Sequence, residues 1–123
     1  MKLVYSNPKV EEQCTSFKAA KKLFGGDELL VERLLSRINS LKSAKTIKDI
    51  IVQSSFHFHN LENKGKKKLK GYFGIDIKTH KEKWRIILQP LDGEENPYNP
   101  CNIDVISDQV QIVKIMEVSK HYE

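Results

Sequence analysis

"GYFGIDIKTHKEKWRIILQPL", residues 71–91, decides the fold class. In its first half Phe73, Ile75 and Ile77 recur every second residue. Tyr72, Asp76 and Lys78 fall broadly on the opposite side or at the ends. A period of two is the pattern of a strand with one buried face. "THKE" (79–82) reads as a turn, and "KWRIILQPL" (83–91) returns as a second strand.

Outward from this hairpin the pattern changes. On the C-terminal side, "DGEENPYNPC" (92–101) carries two prolines, a glycine and three acidic residues and reads as a loop. "NIDVIS" (102–107) reads as a further short strand, and "VQIVKIMEV" (110–118) as a long one. On the N-terminal side the period is helical. Lys9–Phe24 carries Phe17, Ala20, Leu23 and Phe24 at three- and four-residue spacing, and Gly25-Gly26 stops it. Asp27 is placed to cap a second helix from Glu28 to about Leu41. There Leu30, Leu34, Ile38 and Leu41 form an apolar stripe, with Glu32, Arg33 and Arg37 off it. "TIKDIIVQ" (46–53) fits a short helix or a strand. "KLVYS" (2–6) reads as a first strand closed by Asn7-Pro8. The order predicts one α+β domain over residues 1–123: an N-terminal strand and a helix pair packed on one face of a twisted antiparallel sheet. The other face is left free to work.

Charge is unevenly spread. Residues 64–91 hold nine Lys/Arg against two Asp/Glu, whereas residues 92–123 hold two against seven. Five lysines (Lys64, Lys66, Lys67, Lys68 and Lys70) crowd the entry to the hairpin. Such a block fits a surface that meets phosphate or an acidic protein, or a solvated face. No apolar run approaches the roughly 20 residues of a membrane span. The opening residues carry too short an apolar stretch for a secretion signal, so a cytoplasmic location without membrane contact is expected. Cys14 and Cys101 have no ligand spacing and are expected to be unpaired thiols. His57 and His59 alternate in "FHFH" and can share one side of a strand. A His-x-His pair suits zinc, but no further ligand cluster accompanies it, and no metal or cofactor is expected.

At "FHNL", "GYFGIDI", "KWRIIL" and "IMEVSKHYE" the chain resembles the RelE/ParE superfamily of bacterial toxins, nearest its HigB-like plasmid maintenance killer branch. The likeness runs from about His59 to the end, with the helix pair in the expected place. It implies a RelE-like fold and the toxin of a toxin–antitoxin pair, an endonuclease that cuts mRNA on the ribosome. It also implies an antitoxin partner, a helix-turn-helix DNA-binding protein, in a hetero-oligomer. His59, before Asn60-Leu61, matches the histidine that precedes the family's leucine, and Arg85 matches the arginine of its "WRI" strand. The family's last strand ends in an acidic-Tyr-His cluster. Here the order is His121-Tyr122-Glu123, so Tyr122 matches and its neighbours are exchanged. The resemblance places RNA contacts near the lysine run.

Residue chemistry supports such a role. RNA cleavage without metal uses the adjacent 2′-hydroxyl as nucleophile; it needs a base, an acid and cations around the phosphate. His59 and His121 are proton-transfer candidates because imidazole titrates near neutrality. Tyr122 can stack on a base or hold a reacting oxygen. Arg85 either grips phosphate or makes a cross-strand ion pair with Asp76 or Glu117. His57 reads as a partly exposed structural residue, His80 as a surface residue of the turn, and Trp84 and Phe73 as core. Two rival functions remain: a ParE-like gyrase poison, which needs no acid–base pair, and a non-catalytic basic RNA-binding module.

Overall fold

The computed structural model describes residues 1–61, 70–79 and 81–121. Its longest helix, α3 (Glu28–Ser43), starts where expected: the Asp27 side chain accepts a hydrogen bond from the Leu30 amide at 3.2 Å. Leu30, Leu34, Ile38 and Leu41 are all buried, with Val31 added to the stripe. Ahead of it stand β1 (Lys2–Tyr5), α1 (Pro8–Thr15) and α2 (Phe17–Leu23). The single helix expected from Lys9 to Phe24 is therefore two. Ser16 divides them: its amide donates to the Glu12 carbonyl, closing α1, and its hydroxyl accepts from the Ala19 amide, opening α2. A serine in extended conformation can serve both ends, and an isolated periodicity count does not reveal it.

After α3 come α4 (Lys48–Ile51), which settles the ambiguous "TIKDIIVQ" as helix, and a 3-10 turn at Ser54–Phe56. Then follow β2 (His59–Asn60), β3 (Phe73–Asp76), β4 (Arg85–Leu91), α5 (Ile103–Ile106) and β5 (Ile112–Ser119). "NIDVIS" is thus helical rather than a strand. Its two isoleucines, three residues apart, turn to the same side: Ile106 is buried and Ile103 packs against the core. Strand alternation would have put them on opposite faces.

The strands form one sheet in the order β1-β5-β4-β3-β2. The β2–β3, β3–β4 and β4–β5 pairs are antiparallel, whereas β1 runs parallel to β5. The expected all-antiparallel sheet is therefore mixed. Nothing local in Lys2–Tyr5 sets that direction; it follows from the long connection that carries the helices over the sheet. One face holds Phe73, Ile75, Ile86, Leu88, Val113, Ile115 and Val118 in a single core with the helices. Across the hairpin the register sets Gly74 opposite Ile87 and Asp76 opposite Arg85. These residues share the other face. A second, small apolar cluster of Leu61 and Ile87 lies there with Tyr72 and Met116, and none of its members is helical. Among the described residues the helices lie on one face, as the pattern implied, but the second face of β3 and β4 is buried too rather than left free.

The acidic loop 92–101 is tied to the β1 edge by the Lys2–Glu95 ion pair at 2.9 Å. That edge lies across the sheet from β2. Among the described residues no helix is long and apolar enough to cross a membrane. Cys14 is unpaired and buried, and burial pushes its thiol up to about 12, so it behaves as a small apolar side chain.

Leu34 is 0% exposed at the centre of the α3 stripe. Leu34→Ala removes packing on several sides at once and is expected to cost about 2–5 kcal/mol. Urea unfolding checks this as a lower midpoint at an unchanged slope.

Candidate functional site

The face of the hairpin turned away from the main core carries a buried ion pair. Asp76 is 1% exposed and Arg85 5%, and the Arg85 Nε donates to Asp76 Oδ1 at 2.9 Å. Of the two sequence readings of Arg85, this is the cross-strand pair with Asp76. Arg85 Nη1 also donates to the backbone carbonyls of Glu82 and Trp84, the latter at 3.0 Å. From the helical layer, Arg37 reaches round: its Nε donates to the Asp76 carbonyl and its Nη2 to the Ser55 carbonyl, each at 3.0 Å. Its guanidinium lies 4.3 Å from the centre of the Phe56 ring. Asp76 is thus fixed at both its carboxylate and its backbone.

Two histidines stand on this base. His57 closes the 3-10 turn in a left-handed conformation, φ 48° and ψ 52°. Such a backbone is uncommon outside glycine and costs on the order of 1 kcal/mol or more. It turns the chain into β2 and stacks the His57 and His59 rings, with centroids 4.7 Å apart. His57 Nδ1 lies 3.2 Å from Asp76 Oδ1, and His59 Nδ1 lies 2.7 Å from the His57 carbonyl oxygen. An ionised carboxylate and a carbonyl can only accept. Both rings therefore carry hydrogen on Nδ1, and when neutral both keep their lone pair on Nε2. Gly74, opposite His59 in the register, makes room for this: a Cβ there would stand 3.0 Å from His59 Cε1 and Nε2.

Burial holds the His59 imidazole below its ordinary 6.5, the hydrogen bond to the His57 carbonyl opposing this in part. His59 is thus set up as a neutral proton acceptor at physiological pH. His57 is half exposed and lines an open depression of about 410 Å³ with Ser54, Ser55, Asp76, Lys78 and Thr79.

The nitrogen and carboxylate atoms of His57, His59 and Asp76 lie within 4.8 Å of one another, a spacing that a metal ion could draw in. The surrounding charge opposes it. Arg85 sits on the carboxylate that would be the third ligand, and Arg37 sits on the same residue's backbone. One carboxylate among two guanidiniums leaves a positive field, which suits an anion such as phosphate.

The structure brings His59 and Arg85 to one place and adds His57 and Asp76. The sequence alone marks His57 as a partly exposed structural residue and Asp76 only as a possible ion partner of Arg85. The available signal was the "FHFH" alternation together with an acidic residue in register with Arg85. His121 is exposed and lines a different depression, of about 400 Å³, with residues that include Asn7, Lys9, Trp84 and Lys120. Its amide donates to Ser119 Oγ at 3.1 Å. Trp84 is half buried, its ring edge-on to Phe24 at 4.9 Å. Lys70 is exposed at the entry to β3. Lys64, Lys66, Lys67, Lys68, His80 and Tyr122 lie outside the described residues. In comparisons with known proteins, no family model, curated protein or solved structure matches the chain.

The lowered His59 pKa has a stability consequence of definite sign. The unfolded chain takes up this proton near 6.5, whereas the folded protein takes it up only at lower pH. The contribution of His59 to stability is full above that value. It is expected to fall as pH drops through 6.5 toward the folded pKa, and to level off below it. Titration of the His59 ring protons by NMR is expected to place its midpoint below 6.5.

Proposed function

We propose that the protein is the toxin of a toxin–antitoxin pair and cleaves mRNA on the ribosome by metal-independent transesterification. The observation that carries this reading is the second sheet face, where neutral His59 stands beside a buried arginine in a net positive field. That arrangement suits a phosphodiester and a proton acceptor for its 2′-hydroxyl. The motif order gives independent support.

In this reading His59 Nε2 accepts the proton of the attacking 2′-oxygen. Arg85 serves the pentacovalent phosphate through its field. While Asp76 holds the guanidinium, a direct grip requires it to leave that carboxylate. Lys78, exposed, supplies a cation at the rim, and Lys64, Lys66, Lys67, Lys68 and Lys70 are the residues that the resemblance assigns to RNA contact. Phosphate contacts of this kind position RNA without reading its sequence. His121 and Tyr122 follow the end of β5. Of these, His121 is the proton-transfer candidate that the resemblance supplies, and Tyr122 stacks on or orients the RNA. The cytoplasm holds the ribosome and the mRNA, and the antitoxin silences the toxin there as a hetero-oligomer.

Purified protein incubated with translating ribosomes and a defined mRNA, with 5′ ends mapped by primer extension, tests the reading. Cuts at in-frame positions that require ribosomes are expected. His59→Asn is expected to slow them by about a hundredfold or more. Intact mRNA in both tubes, from protein that still arrests growth, overturns the nuclease, and DNA breaks in the arrested cells then identify gyrase as the target.

A further inference from the structure

We propose that His57 is the second proton-transfer residue of this site, delivering a proton to the leaving 5′-oxygen, with Asp76 as the residue that positions it. The inference rests on the endonuclease reading above, to which it adds the acid.

Three observations converge on His57. Its Nδ1 faces the carboxylate of Asp76 at 3.2 Å, which orients the ring and fixes its tautomer. That carboxylate is buried and held by Arg85, so it is a rigid support. Nε2 is the nitrogen left for a substrate, on a ring whose side chain is 53% exposed at an open depression that Lys78 and Thr79 also line. Finally, His57 adopts its left-handed backbone although it is not a glycine, and this conformation lays its ring on that of His59. Two stacked imidazoles whose Nδ1 atoms are both engaged by protein oxygens are a suitable pair for moving two protons in one displacement. His121 has no comparable support: among the described residues its recorded hydrogen bond is made by its backbone.

The charged and titratable groups around His57 come from every neighbouring element: Asp76 and Lys78 at β3, His59 on β2, Arg85 on β4 and Arg37 on α3. In the step itself the 2′-oxygen forms a bond to phosphorus and passes its proton to His59 Nε2. The bond from phosphorus to the 5′-oxygen breaks, and that oxygen takes the Nε2 proton of His57, whose ring enters the step as the imidazolium with hydrogen on both nitrogens and leaves it neutral. The products are a 2′,3′-cyclic phosphate and a 5′-hydroxyl. Proton exchange with water resets both rings, so no further reactant is needed.

Ribosome complexes programmed with a short mRNA test this, using oxygen or sulfur at the bridging 5′ position of one cleavage site. A thiolate leaves without an acid. His57→Asn is the variant of choice, because asparagine tolerates the left-handed backbone and can still donate to Asp76. It is expected to cut the oxygen substrate about a hundredfold more slowly than the parent, with an unchanged melting temperature, and to regain most of the rate on sulfur. Asp76→Asn is expected to show the same selectivity. Mere loosening of the fold slows both substrates alike. His59→Asn stays slow on both. Parental rates in His57→Asn, equal slowing on the two substrates, or sulfur rescue confined to His121→Asn would each overturn the assignment. A parent protein that leaves both substrates intact overturns the endonuclease reading itself.

Discussion

Two opposite charges buried between neighbouring strands constrain this structure more than any other contact. A carboxylate and a guanidinium taken out of water lose several kcal/mol of hydration each, and recover it only with good geometry and further hydrogen bonds. Asp76 and Arg85 meet both conditions. They stand in register on β3 and β4, the Nε–Oδ1 contact is 2.9 Å, and backbone carbonyls take further Arg85 hydrogens. Slipping β3 against β4 by one residue would send Asp76 into the apolar core face and leave Arg85 without its partner carboxylate. The pair thus holds register, and its carboxylate orients the more exposed of two stacked imidazoles.

The surrounding elements serve the same arrangement. Arg37 ties the helical layer to the carbonyl of Asp76, so α3 braces the site from behind while its leucines fill the core. Gly74 leaves the space that His59 occupies. Acidic charge is kept apart: the 92–101 loop is tethered at the β1 edge, and the histidines stand at the β2 edge.

Much of this was legible in the residues. The α3 stripe and the alternation of 73–77 each follow a single local period, and both elements formed, although β3 is buried on its second face as well. Arg85 was readable as one partner of an ion pair, because alternation put it on the face of Asp76. What escaped depended on non-local or dual-use features. Ser16 ends one helix and begins another, so side-chain periodicity runs across the break. Ile103 and Ile106 share a face only once the short stretch turns helical. The parallel pairing of β1 with β5 joins the two ends of the chain and leaves no trace in either strand. His57 looked structural because its role depends on a left-handed turn and on a carboxylate 19 residues away.

The central claim is that Asp76 and the His57 carbonyl hold hydrogen on Nδ1 of both imidazoles and leave Nε2 of each to the substrate. Long-range ¹H–¹⁵N correlation on ring-labelled protein, at a pH where both rings are neutral, reads this directly. The account predicts Nδ1–H tautomers for His57 and His59 in the parent. It also predicts that Asp76→Asn frees His57 toward a tautomer mixture while His59 stays as it was. An Nε2–H tautomer at either ring of the parent protein would contradict it.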